Sequence, residues 1–253
     1  MFTKKFIRPS STQRRKSATI TATMILALVA CGDSTSFQSR VDVGEQFLTN
    51  GQYSEGYGIL TDVTEKNATS AQAALSVGDA YLRQGAFTKA ATSFDLAIAR
   101  GDEIGGLVGK GRVALARNAS QEALVLFGQV LEKESDNVDA LNGVGVAYDI
   151  VGDHAAARQS YQNALLLEPN HFASNNNLGL SLALGGNSDQ AVAALSELSR
   201  SNLDSSKVRQ NLAFAYHMRG DENNGLRISM IDLTESQGLS NAAVFKQYRA
   251  WNP

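Results

Sequence analysis

The chain has 253 residues, 43% of them hydrophobic and 19% charged, which is enough apolar content for a packed core and excludes a disordered polymer. Three prolines (Pro9, Pro169 and Pro253) leave almost the whole length open to long helices. Six of the 23 cations lie within residues 1–16, which hold no acid. The remainder therefore sets 17 Lys+Arg against 25 Asp+Glu, a net charge of −8 with His neutral, and argues against a nucleic-acid partner.

Residues 1–30 read as an export signal. A basic, polar head is followed by a short apolar stretch centred on Met24-Ile25-Leu26-Ala27-Leu28-Val29-Ala30. That stretch is shorter than the roughly 20 residues needed to span a bilayer. Its end, Leu28-Val29-Ala30-Cys31, resembles the bacterial lipoprotein lipobox, and Cys31 is the only cysteine in the chain. The resemblance implies cleavage before Cys31, acylation of its thiol and anchoring in a membrane. Two or three acyl chains hold a protein stably where one holds it marginally. Gly32 in place of Asp implies sorting to the outer membrane, with the protein facing the periplasm. Residues 31–36, the lipidated cysteine and a short polar tether, reach at most about 25 Å. A lone cysteine excludes disulfides within the chain.

From residue 37 to 239 the chain repeats. A frame of small-x-x-aromatic-x-x-x-Gly-x-x-x-x-small-x-x-x-aromatic-x-x-Ala fits Gly78, Tyr81, Gly85, Ala90, Phe94 and Ala97. It fits again at Gly145, Tyr148, Gly152, Ala157, Tyr161 and Ala164, and with substitutions elsewhere. The leading small residues are Gly44, Gly78, Gly111, Gly145, Gly179 and Ala213, spaced 34, 33, 34, 34 and 34 residues apart. Within each unit, apolar residues recur at helical spacing on two successive segments, as in Leu141, Val144 and Tyr148, and then Ala157, Tyr161 and Ala164. Glycine at 85, 152, 186 and 220 meets the need for a left-handed residue after the first helix, and Pro169 stops a second helix.

This pattern resembles the tetratricopeptide repeat (TPR) family across nearly all of the exported chain. The resemblance implies an all-α fold: a right-handed superhelical solenoid of about six helix–turn–helix repeats. A final capping helix is expected over 240–253, with Ser240-Asn241 as its start and Val244, Phe245, Tyr248 and Trp251 packing on repeat six.

No catalytic or cofactor-binding pattern emerges, and the chain is read as a non-enzyme without a cofactor or a small-molecule substrate. His154, His171 and His217 lack a second ligand at metal spacing and are expected at the surface. Gly105-Gly106-Leu107-Val108-Gly109-Lys110-Gly111 lacks the Lys-Ser/Thr ending of a phosphate loop, so its glycines are assigned to helix packing.

The TPR resemblance implies a concave groove lined by first helices. Carried onto this sequence, the binding positions are Asn142, Val146 and Ile150 in repeat four and Asn176, Asn177, Leu180 and Leu184 in repeat five. Asn211, Phe214 and Met218 follow in repeat six. Amides at Asn177 and Asn211 suit a peptide backbone, and the apolar positions suit its side chains. The clamp for a C-terminal carboxylate is not expected, because its positions hold Val41, Glu45, Leu75, Ser76, Asp79, Val108 and Arg112.

A lipobox followed by about six such repeats, with the stretch Val208-Arg209-Gln210-Asn211-Leu212-Ala213-Phe214-Ala215-Tyr216 near the end, resembles the TadD-type lipoproteins of tight-adherence (Flp) pilus systems. The resemblance implies a pilotin-like role, with a secretin or another pilus-assembly component as the protein or peptide partner. The alternative reading is a general outer-membrane scaffold for envelope biogenesis or recruitment of cell-wall enzymes.

Overall fold

The computed structural model describes residues 36–203 and 205–251. Residues 1–30 and Cys31 lie outside them. Among the described residues there are helices and no strands. The helices pair as α1 (Phe37–Thr49) with α2 (Tyr53–Lys66), α3 (Ala71–Arg83) with α4 (Phe87–Ala99), and α5 (Glu103–Ala116) with α6 (Ser120–Lys133). The pairs continue as α7 (Val138–Val151) with α8 (His154–Leu167), α9 (Phe172–Leu184) with α10 (Ser188–Ser201), and α11 (Ser206–Arg219) with α12 (Glu222–Ser229). A single helix, α13 (Glu235–Trp251), follows. The chain divides into two compact units within α7, one ending at Gly143 and the other beginning at Val144.

Each pair is joined by the same turn. After the first helix, one residue takes a positive φ: Gly51, Gly85, Asn118, Gly152, Gly186 and Gly220. The amide of that residue donates to the carbonyl three back, as Gly85 does to Leu82 and Asn118 to Leu115. The next amide donates five back, as Ala86 does to Tyr81 and Ala119 to Ala114. These two bonds make a Schellman motif, which satisfies carbonyls that the helix end leaves free. Side chains start the helices. Ser36, Ser70, Asp102, Asp153, Ser205 and Asp221 each accept a first-turn amide.

Close approach within each pair follows from the leading small residue. A Cβ on Gly78 would lie 2.6 Å from the Phe94 ring, and one on Gly145 would lie 2.5 Å from the Tyr161 ring. Each glycine therefore seats the large residue 16 positions later, and the same offset places Leu60 on Gly44, Phe127 on Gly111 and Leu195 on Gly179. The glycines of 105–111 serve packing as expected, since a Cβ on Gly109 would meet the Phe94 ring at 2.3 Å. In the first unit Val41, Leu60, Val63, Val77 and Phe94 form the core. In the second, Leu195, Val208, Leu212, Phe214 and Phe245 do.

The C-terminal end departs from expectation. The last helix begins at Glu235, not at 240, and Ser240-Asn241 does not start it. A reciprocal capping box does: Gln237 N donates to Thr234 Oγ1, and Thr234 N donates to Gln237 Oε1. Ser240 lies one turn inside and donates to the Ser236 carbonyl, while Asn241 is buried. Trp251, expected to pack on repeat six, is 62% exposed, while Tyr248 and Phe245, one and two turns earlier, pack on Phe214. The second helix of repeat six, α12, has only eight residues.

Candidate functional site

The inner stripe expected from the repeat frame lies on α7, α9 and α11. Asn142 closes the first unit and is half-buried, as are Val146 and Ile150 in the second. The amides do not form the expected row of equivalent positions. Asn211 donates to Asn176 Oδ1 at 2.9 Å, and Asn176 donates to Asn177 Oδ1 at 3.3 Å. Asn176 is 1% exposed. It is a buried tie between α9 and α11 and not a groove-facing contact, because a diagonal pairing satisfies an amide that burial would otherwise leave without a partner.

The apolar members of the stripe are covered. Leu180, Leu184 and Met218 are half-buried in the cluster that contains Phe245. Phe214, expected to stand open, is 4% exposed. Two rings of α13 lie against it, Phe245 at 5.1 Å and Tyr248 at 5.8 Å between centroids, both edge-on. Arg249 donates to the His217 carbonyl at 2.7 Å, near the C-terminal end of α11, and pairs with Glu222 at 3.1 Å. Burial and the nearby Asp149 carboxylate both push the Tyr248 hydroxyl up in pKa. The last turns of α13 thus lie against α11, and Arg249 also reaches α12.

Asp149 organises the other end of that face. Its Oδ1 accepts Ser181 Oγ at 2.7 Å and lies 2.8 Å from His154 Nδ1; its Oδ2 accepts the Tyr161 hydroxyl at 2.9 Å. Three helices, α7, α8 and α9, meet on one carboxylate. Burial, then the Asp149 charge and hydrogen bond, hold the Tyr161 hydroxyl far above the ordinary tyrosine range. Ser, His and Asp meet here, but the carboxylate sits between the other two, and Ser181 is fully buried. A nucleophile needs the histidine between serine and acid, so the cluster is a structural lock. The expectation of surface histidines fails here: His154 is tied to Asp149, and His217 is 3% exposed. His217 fits over Gly225, with Nε2 buried and without a hydrogen-bond partner. Burial lowers its pKa, opposed by Glu222 and aided by Arg249.

The repeat pattern alone does not single out Asp149. The signal was Tyr161, which stands where Phe94 and Phe127 stand in the preceding repeats. A hydroxyl at a buried ring position demands a partner.

In the first unit, a cavity of about 190 Å³ lies between α3 and α5, lined by Leu75, Ser76, Asp79, Val108, Gly109 and Arg112. Its charges are matched internally. Arg112 meets Asp79 at 2.8 Å, and next to it Arg83 grips Glu45 through two bonds of 2.6 and 2.7 Å. Among the described residues no group of three His, Cys, Asp or Glu side chains is placed to hold a metal.

The tetratricopeptide repeat model matches residues 44–103 and 151–203. An uncharacterized protein, y4yS, of Sinorhizobium fredii is 39% identical over 79 residues, which cover 31% of this chain and 43% of that protein's length. The fold is similar to a thermophilic TPR protein of Thermus thermophilus, with TM-score 0.60, 18% identity, and 71% of this chain against 98% of that one. It is also similar to a tetratricopeptide repeat protein of Parabacteroides merdae, with TM-score 0.58, 15% identity, and 85% of this chain against 90% of that one. At these identities the likeness is one of fold.

Proposed function

Starting from a chain that carries tetratricopeptide repeats, we propose that it is a protein-binding scaffold, anchored in the outer membrane through lipid on Cys31 and facing the periplasm. It assists the assembly or localisation of a pilus or secretion apparatus, with a secretin or another assembly component as partner. The observation that carries the binding role is the inner face of α9 and α11. Leu180, Leu184, Phe214 and Met218 pack there in one apolar cluster with Phe245 and Tyr248 of α13, so this face already seats a helix, beside a closed amide network. A stacked array of this kind offers an extended face and no built reaction centre. The anchor and the pilus setting rest on the lipobox and on the sequence likeness described above.

The test is Cys31→Ser in cells that assemble such a pilus. The expected outcome is movement of the protein from the membrane to the soluble fraction, together with a several-fold loss of secretin multimers. Unchanged multimers and normal piliation, with the protein soluble, would reject the anchored-assembly role.

A further inference from the structure

We propose that the cavity between α3 and α5 is a recognition pocket for one large apolar side chain carried by an extended, uncharged peptide segment. The pocket lies in the first unit. It goes beyond the binding role proposed above, which rests on α9 and α11 of the second.

The sequence makes this cavity at one repeat. Only the third repeat has glycine both six and two positions before its leading small residue, at Gly105 and Gly109. The second repeat has Gln72 and Ser76 there, and the sixth has Lys207 and Asn211. The two glycines stand one turn apart on α5 and so share a side of it. A Cβ on Gly109 would lie 2.3 Å from the Phe94 ring. One on Gly105 would lie 2.9 Å from Leu75 Cδ1 and 2.8 Å from the Asp102 carboxylate. Without those Cβ atoms, Phe94, Leu75 and Val108 supply an apolar lining.

Size restricts the ligand. The cavity of about 190 Å³ is smaller than the roughly 300–1,000 Å³ of a small-molecule site, and it suits a single side chain. Charge restricts it further. Arg112 meets Asp79 at 2.8 Å between α5 and α3, and Asp102 accepts the Gly105 amide at 2.8 Å. These charges are matched within the protein, so a further charge buried beside them would lose its hydration without a new partner. An uncharged side chain carries no such cost.

The polar lining decides between backbone forms. Gln72 and Ser76, one turn apart on α3, offer an amide and a hydroxyl at the same cavity. A helix satisfies its own backbone groups. An extended segment brings free N–H and C=O groups, which an amide and a hydroxyl can pair while the cavity takes the side chain between them.

The experiment titrates the isotope-labelled, purified chain with N-acetyl-leucine N-methylamide, an apolar side chain between two amides, and follows the backbone amide signals by NMR. Saturable shifts are expected at Ser76, Gly105 and Gly109, with a Kd on the order of millimolar. The glycine and aspartate analogues of the probe, and isoamyl alcohol, which has the alkyl group without the amides, should each bind roughly tenfold more weakly. Ser76→Leu fills the cavity and should weaken the leucine probe by a similar factor. Gly105→Ala, whose Cβ meets the movable ends of Leu75 and Asp102, is the milder variant and should weaken it several-fold. Far-UV circular dichroism checks the fold of both, and Gly105→Ala decides if Ser76→Leu unfolds. Equal affinity for the glycine or aspartate analogue would overturn the proposal, and equal affinity for the alcohol would make the cavity an alkyl site instead. Unchanged binding in the folded variants, or shifts confined to α9 and α11, would also overturn it. The titration involves neither membrane nor secretin, so its failure leaves the Cys31→Ser result standing, and the reverse also holds.

Discussion

Asp149 holds Ser181, Tyr161 and His154 at once, and two of these three are buried. Removing the carboxylate strands two hydroxyls away from water, at about 1–3 kcal/mol each. Asp149→Ala should therefore lower stability by about 3 kcal/mol, whereas Tyr161→Phe, which removes a hydroxyl with its own need, should cost about 1 kcal/mol. Urea denaturation followed by far-UV circular dichroism measures both, and equal small losses would show that the three donors find other partners. The hub was hidden in the sequence for a physical reason. Ser181 reaches Asp149 across 32 residues, so a repeat register alone names the positions but not which side chain turns toward which. The same holds for the amides, where Asn211 bonds Asn176 and not the residue in its own repeat position.

At the scale of the helix pair, the repeated turn sets the geometry. Gly152 has φ of +87° with open space where a Cβ would sit, so any penalty for Ala there is conformational alone. Gly152→Ala should cost about 1 kcal/mol. Asn118, at φ of +62°, already bears part of that strain, so Asn118→Ala should cost less than half as much. Thermal or urea midpoints of the two variants give the comparison, and a larger loss at Asn118 would mean that its side chain contributes beyond the turn. These turns were readable in the sequence, because glycine recurs in five of six equivalent positions. The start of α13 was not read correctly. Ser240-Asn241 has the composition of a cap, but the Thr234-Glu235-Ser236-Gln237 box precedes it and the pattern of apolar residues continues through it. A composition cue lost to a reciprocal pair of hydrogen bonds.

For the whole molecule, acid is the sensitive condition. His217 is buried against Gly225 and Phe245, and folding lowers its pKa. The unfolded chain takes up a proton near the ordinary histidine value while the folded chain resists it. The stabilisation is then fully present above about pH 6.5 and is lost as pH falls below it. Comparing stability at pH 7 and 5, wild type should lose more than His217→Leu, and equal losses would place the acid response elsewhere. The number and phase of the repeats were legible from spacing, because a small residue must recur wherever two helices touch. The covered inner face was not. It depends on a helix outside the repeat frame, whose seat is set by the early end of α12.

The ties described between helices are short in sequence. Arg83 with Glu45 spans 38 residues, and Asn211 with Asn176 spans 35. Few loops must close before contacts form, so the entropic barrier to folding is low. Each pair can consolidate against the one before it while the rest of the chain is still extended, and the chain is suited to maturing progressively from one end.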